Sequence, residues 1–115
     1  MTEHDMQCSL IDQCRLYETQ HPELELLFAV PMGGKRSKVT AARLKAEGAK
    51  AGVPDLCLAV ARQGHHGLWI EMKLPGARPS TPQRWWIRRL REQGYRVEVC
   101  RSAQAAWDVL MEYLT

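Results

Sequence analysis

The chain has 115 residues, of which 45% are hydrophobic and 25% are charged, and its formal net charge is +3. These values are typical of a single globular domain and exclude a disordered or fibrous chain. No apolar run approaches the ~18 residues of a membrane-spanning helix, and the acidic first ten residues are unlike a secretory signal. We therefore expect one domain over residues 1–115, cytoplasmic and without a membrane partner.

The elements follow one another without a linker or an internal repeat. Residues 4–19 have the three- and four-residue apolar spacing of a helix, and the apolar run 26–30 suits a buried strand. Helices are predicted over 37–48, 81–93 and 103–114, with Ser80 and Ser102 as N-caps and Gly48 and Gly94 as stops. Strands are predicted over 55–60, 68–73 and 95–100. This order predicts an α/β fold, a small mixed β-sheet flanked by helices.

Basic residues are concentrated in two segments, 35–50 and 84–101. Such blocks suit a polyanionic partner, because each neutralised phosphate releases condensed counterions, although a solvated charged surface explains them equally well. The candidate phosphate-contacting side chains are Lys35, Arg36, Lys38, Arg43, Lys45, Lys50, Arg84 and Arg88.

The cysteines do not have the spacing of a zinc site. Cys8, Cys14, Cys57 and Cys100 contain no Cys-x-x-Cys pair, and the last two lie within apolar runs. We expect free thiols, the buried ones acting as small hydrophobic side chains.

Charged residues stand at the end of one predicted strand. Glu71 and Lys73 are two residues apart and so share a strand face, with Asp55 at the start of the preceding strand. The short connection between the two strands predicts an antiparallel hairpin. If Asp55 pairs with Lys73, the three side chains converge, whereas a slip of one residue sends Asp55 to the other face.

Two adjacent carboxylates repel each other and favour a bound cation. Oxygen ligands without His or Cys select Mg²⁺ or Mn²⁺ over zinc, and such an ion activates water and polarises a phosphoryl group. Lys73 can then orient the water or neutralise charge in the transition state. A cross-strand salt bridge between Lys73 and either carboxylate is the structural alternative.

The same residues resemble a nuclease signature. Pro54-Asp55 followed by Glu71-Met72-Lys73 is similar to the PD-(D/E)xK motif, and the segments "GGKRS", "AARLKAEGAKAGVPDL", "GLWIEMK", "STPQ" and "GYRVEVCRS" together resemble the VRR-NUC family. The resemblance runs from Glu3 to the C-terminus and implies a restriction-endonuclease-like fold.

The resemblance also implies a role for individual residues. Asp55 and Glu71 match metal-binding carboxylates, with the main-chain carbonyl of Met72 as a further ligand. Lys73 matches the motif lysine, and Gln83 matches a glutamine that supports the metal site or the attacking water. Glu3 is the weakest match, to a metal-facing glutamate on the first helix, since Asp5, Asp12 and Glu18 lie on that helix too.

The activity implied is that of a metal-dependent DNA endonuclease without a covalent enzyme intermediate. Stand-alone members of the family, of phage or bacterial type, resemble dimeric enzymes that resolve Holliday junctions in DNA repair and recombination. We therefore expect a homodimer that cleaves four-way junctions. A flap- or nick-type nuclease and a non-catalytic DNA-binding module remain as alternatives.

Overall fold

The computed structural model describes residues 1–31 and 37–115. The predicted order of elements is confirmed, with a 3₁₀ helix as an unpredicted addition after the first helix. The elements are α1 (Glu3–Leu16), the 3₁₀ helix (Pro22–Leu26), β1 (Leu27–Ala29), α2 (Lys38–Ala46), β2 (Leu56–Leu58), β3 (Leu68–Met72), α3 (Thr81–Glu92), β4 (Arg96–Cys100) and α4 (Ala103–Leu114).

The four strands form one mixed sheet in the order β1-β2-β3-β4. β2 pairs antiparallel with β1 and β3, whereas β4 pairs parallel with β3. A parallel pair requires a crossover, and α3 provides it by running across one face of the sheet. This topology brings the start of α3 to the end of β3, where Glu71 lies.

The two faces of the sheet bury different clusters. On one face, Leu56, Leu68 and Ile70 pack with residues of α1 and α4, such as Leu10 and Leu110. The opposite face packs on α3 through a smaller cluster centred on Ile87, Leu90 and Val97. Since side chains alternate along a strand, Trp69 and Glu71 belong to the face that α3 covers.

The hairpin register differs by two residues from the pairing of Asp55 with Lys73 considered above. Leu56 pairs with Ile70 and Leu58 with Leu68, so continuing the ladder places Asp55 across from Glu71 and not Lys73. Within the loop between the two strands, the His66 amide donates to the Gly94 carbonyl at 2.9 Å, which ties the loop to the segment before β4. A shift of two residues preserves the face, and Asp55 therefore shares it with Glu71.

All four cysteines are free, and of these Cys14, Cys57 and Cys100 are buried. Across the described residues, no helix combines the length and the apolar character needed to cross a lipid bilayer.

Candidate active site

A tight turn before β2 delivers Asp55 to the sheet. Gly52 in this turn has φ +93°, and a Cβ added there would lie 2.6 Å from the Pro82 carbonyl carbon in the first turn of α3. The Trp86 indole N–H donates to the Ala51 carbonyl at 3.1 Å. These two contacts fix the turn that precedes Asp55 against the helix that carries Gln83.

Gly52→Ala is expected to disturb both sides of this contact. The left-handed backbone and the clash with Pro82 together should lower the free energy of unfolding by roughly 1–3 kcal/mol and reduce activity as well. Gly48→Ala is the matched control, because Gly48 has φ +102° but open space around its Cβ position. Chemical denaturation of both variants measures the difference. Equal destabilisation of the two variants would show that backbone strain, and not the contact with α3, accounts for the loss of stability.

Glu71 is the buried charged residue of the sheet, with 2% of its surface exposed. Its Oε2 accepts a hydrogen bond from Gln83 Nε2 at 2.7 Å. Its Oε1 is buried and has no hydrogen-bond partner among the described residues. An unpartnered buried carboxylate oxygen is costly in a folded protein and indicates either a proton or a missing ligand.

Gln83 holds Glu71 through a helix cap. The Ser80 Oγ accepts from the Gln83 amide at 3.3 Å, and Gln83 Oε1 accepts from the Ser80 amide at 2.7 Å, which forms a capping box. The Gln83 side chain therefore uses its oxygen for the helix end and its nitrogen for Glu71. This double use fixes the amide orientation and ties the start of α3 to β3.

Gln83→Ala should lower the free energy of unfolding by more than the loss of the helix cap alone. Loss of the cap is worth about 1 kcal/mol, and loss of the amide leaves a second oxygen of Glu71 without its protein partner. Ser80→Ala is the control, since it weakens the same cap and keeps the contact with Glu71. Urea denaturation should show a free energy of unfolding about 1–2 kcal/mol lower for Gln83→Ala than for Ser80→Ala, and the cleavage rate should fall in Gln83→Ala alone. Equal rates would assign Gln83 to the helix cap only.

Asp55 is held against the same strand. Its Oδ2 accepts a hydrogen bond from the Met72 amide at 2.7 Å. This bond joins the residue just before β2 to the last residue of β3 and directs the carboxylate toward Glu71. The Met72 side chain is buried on the other face of the sheet, so Met72 can contribute to the candidate site only through its main chain.

The electrostatics of the pair reflect burial and repulsion. Burial, followed by the charge of Asp55, raises the pKa of the Glu71 carboxyl from its ordinary value of 4.5 to about 8. Burial also raises the pKa of Asp55, partly offset by the hydrogen bond from the Met72 amide. The two carboxylates are therefore unfavourable neighbours in the absence of a cation.

Lys73 continues β3 beyond its last paired residue. Its amide donates to the Cys100 carbonyl at 3.0 Å, which keeps the backbone extended and sets Lys73 on the face of Glu71. The ammonium lowers the pKa of both Asp55 and Glu71. Within residues 1–31 and 37–115, however, no ion pair joins Lys73 to a carboxylate. The cross-strand salt bridge considered above is thus absent from the described residues.

Glu3 lies close to the end of β3. Its Oε2 accepts from the Leu74 amide at 3.2 Å, and its charge raises the pKa of Asp55. In the described part of the chain, no three His, Cys, Asp or Glu side chains come together as a metal-binding group. Asp55 and Glu71 are consequently the carboxylates that the fold pairs most directly.

The donor set fits a hard divalent cation. Asp55 and Glu71 supply carboxylate oxygens, one of them buried and unpartnered, and Met72 can supply a carbonyl oxygen. Oxygen donors of this kind match Mg²⁺ and Mn²⁺. Positive charge between the carboxylates would also remove the repulsion that raises the pKa of Glu71.

The basic side chains occupy two helices and a loop. Lys38, Arg43 and Lys45 are exposed on α2, and Lys50 is exposed in the loop that follows. Arg84 and Arg88 are exposed on α3, where Arg84 also donates to the Pro79 carbonyl at 2.6 Å. Lys35 and Arg36 lie outside the described residues. The turn before Asp55 follows α2 in the chain and contacts α3 through Gly52 and Ala51.

Sequence reasoning did not find the contacts that align the two halves of the site. Gly52, Pro82 and Trp86 join the Asp55 turn to α3. A glycine three residues before a motif aspartate, in "GVPD", is a signal for close backbone approach. Its partner could not be read from the chain.

The comparison with protein families agrees with this geometry. The VRR-NUC domain matches residues 5–104, nearly the whole chain. The chain belongs to the VRR-NUC family. This family is of nuclease type, and the membership supports a nuclease function with DNA as substrate.

Comparison with solved structures gives the same assignment. A structure titled "VRR_NUC domain protein" superimposes with a TM-score of 0.84 and is 28% identical, covering 99% of this chain and 88% of the other. No curated protein matches the chain. The mixed sheet flanked by helices is thus the PD-(D/E)xK-like fold of a VRR-NUC domain, as the motif predicted.

Proposed function

We propose that this VRR-NUC domain is a Mg²⁺- or Mn²⁺-dependent, structure-specific DNA endonuclease that cleaves four-way junctions as a homodimer. The observation that carries the proposal is the pairing of a half-buried carboxylate, Asp55, with the buried carboxylate of Glu71, which has an unpartnered oxygen and shares its strand face with Lys73. Family membership supplies the reaction class.

Each residue has a distinct part in the proposed reaction. Asp55, Glu71 and the Met72 carbonyl would hold the ion, which supplies Lewis acidity and water activation when bound. Gln83 keeps the Glu71 carboxylate oriented through its 2.7 Å hydrogen bond. Lys73 remains free of ion pairs with described carboxylates, so its ammonium can orient the attacking water or stabilise negative charge at the phosphorus.

The basic helices support DNA as the partner. α2, the turn before Asp55 and α3 line one cavity, and both helices expose lysines or arginines to solvent. α3 alone has 12 residues, a length of about 18 Å, enough for its arginines to contact several phosphates.

Variants of these side chains should change the salt dependence of binding. Lys45→Ala and Arg88→Ala are each expected to weaken DNA binding uniformly and to reduce the slope of log K against log salt by about 1. Arg15→Ala, which removes an exposed charge from the last turn of α1, should leave the slope unchanged. Fluorescence anisotropy titrations over a range of salt concentrations measure the slopes. If the slope changes only in Arg15→Ala, the DNA-contacting surface includes α1 and not α2 or α3.

The homodimer and the junction are linked by symmetry. Two sites related by a two-fold axis suit the paired, symmetric cuts that resolve a four-way junction. Leu26 and Phe28, beside and within the outer strand β1, are about half exposed and offer apolar surface to a second copy. Sedimentation at several protein concentrations tests the dimer independently of activity.

A cleavage assay tests the activity. The substrates are a four-way junction, a flap, a splayed arm, a linear duplex and a single strand, each with Mg²⁺, Mn²⁺ or EDTA. Symmetric junction cuts that EDTA abolishes would support the proposal in full. Cutting of flaps or nicks instead would assign a different DNA substrate to the nuclease. Tight binding without cutting would identify a non-catalytic DNA-binding module.

A further inference from the structure

An apolar cavity lies beside the Asp55 turn and has no part in the reaction described above. Its volume is about 290 Å³, and its lining includes Val30, Leu44, Ala49, Val53 and Trp86, with Lys50 as the charged residue among the described ones. This volume is at the lower end of small-ligand pockets. It is too small for a partner helix and suits a single flat ring system.

The cavity and the candidate active site share a wall. Val30 donates its amide to the Asp55 carbonyl at 2.8 Å, and Val53 is two residues before Asp55. The Trp86 indole is fixed by its hydrogen bond to Ala51 in the same turn. A group bound in the cavity would therefore lie next to the main chain that holds one carboxylate of the pair.

The surroundings of the cavity favour a nucleotide. Lys50 lies at its edge, and α2, which contributes Leu44, exposes Lys38, Arg43 and Lys45. An aromatic and aliphatic interior with positive charge around it complements a base with its attached phosphates, since bases stack on aromatic side chains in a sequence-tolerant way. An isolated apolar ligand would not require the cations.

We infer that this cavity binds one unpaired nucleobase of the DNA strand next to the scissile phosphate. A base stacked in a duplex cannot enter it, whereas a base at a branch point or in a single-stranded arm enters at little cost. The cavity thereby selects branched or partly unpaired DNA over a regular duplex. This inference rests on the proposed function, because it assumes that the substrate is DNA cleaved at the carboxylate pair.

The test uses the full chain and DNA that lacks one base. A splayed-arm substrate carries an abasic residue, moved one nucleotide at a time across the cleavage site, and dissociation constants are measured in EDTA to prevent turnover. In the wild-type protein, one position should weaken binding by roughly 5- to 150-fold, the range expected for a stacked base. Ala49→Leu fills the cavity and should bind intact and abasic DNA equally.

Ala42→Leu is the matched control, because it makes the same change at an exposed position of α2. It should retain the wild-type difference between intact and abasic DNA. Leu44→Phe narrows the cavity from the other side and replaces Ala49→Leu if circular dichroism shows that the latter is unfolded. An abasic scan without any sensitive position, or a sensitive position that persists in the filled variants, would overturn the inference.

The same measurements separate the two proposals. Metal-dependent cleavage without a sensitive base position would keep the nuclease and reject the base pocket. Absence of both binding and cleavage for every DNA would reject both. A sensitive position with no cleavage in Mg²⁺ or Mn²⁺ would retain the base pocket in a non-catalytic DNA-binding module.

Discussion

Glu71→Gln is expected to stabilise the metal-free protein while it abolishes DNA cleavage. The carboxylate is almost fully buried, faces Asp55 across the strand pair and leaves one oxygen without a partner among the described residues. An amide removes the charge and keeps an acceptor for Gln83. The gain at pH 8 should be on the order of 2–4 kcal/mol, equivalent to a melting temperature roughly 10 °C higher.

The stabilisation should depend on pH in a defined direction. The pKa of Glu71 is about 8 in the folded protein and 4.5 ordinarily, so the folded state retains a proton that the unfolded chain releases. This contribution to wild-type stability is fully present below pH 4.5 and is lost as the pH rises through about 8. The advantage of Glu71→Gln should therefore be small in acid and largest at alkaline pH.

Thermal melts in EDTA between pH 5 and pH 9 provide the measurement. Glu25→Gln, a change at an exposed carboxylate, should follow the wild type at every pH. Added Mg²⁺ should raise the melting temperature of the wild type but not of Glu71→Gln, because binding to the folded state stabilises it. Similar wild-type and Glu71→Gln curves at all pH values would contradict the argument that burial and repulsion make Glu71 unfavourable.

Lys73→Met should lower the cleavage rate by roughly 10²–10⁴-fold with little change in DNA affinity. Methionine preserves the aliphatic part of the side chain and removes the ammonium. Lys73 forms no ion pair with a described carboxylate, so loss of its charge should cost only the weaker attraction that lowers the pKa of Asp55 and Glu71. The effect should therefore appear in the chemical step and not in folding or binding.

Single-turnover kinetics at saturating enzyme separate these quantities. Lys45→Met makes the same change at an exposed position of α2 and should weaken binding while leaving the saturated rate near that of the wild type. If Lys73→Met cleaves at the wild-type saturated rate, the ammonium has no part in the reaction. A loss confined to affinity would instead make Lys73 one more phosphate contact.

The opposite effects of one residue on stability and activity have a simple physical origin. Burial that raises the pKa of Glu71 also removes water from the space where a cation and a phosphate would meet. A site built in this way is unfavourable until its ligand is present. The hydrogen bond from Gln83 and the packing of Gly52 on Pro82 keep Glu71 and Asp55 next to each other despite this unfavourable electrostatic energy.

The local sequence determined most of the elements. Apolar periodicity specified α1, and Ser80 and Ser102 cap α3 and α4 at the predicted positions because a hydroxyl next to free amides is a local interaction. The motif residues could also be identified from the sequence, because side-chain alternation puts Glu71 and Lys73 on one strand face regardless of how the neighbouring strand pairs. Family membership followed from motifs in a consistent order along the chain.

Only the tertiary structure decided how those parts meet. The register of β2 on β3 sets Asp55 opposite Glu71, and the loop between these strands is tied by a hydrogen bond from His66 to Gly94, which is far away in sequence. The partner of Gly52 and the apolar cavity likewise depend on where α3 crosses the sheet. Local propensity contains no information about such distant contacts, because they arise from packing between elements that the sequence separates. The sequence by itself therefore determined which residues carry the chemistry, and the fold decided their pairing and the space beside them.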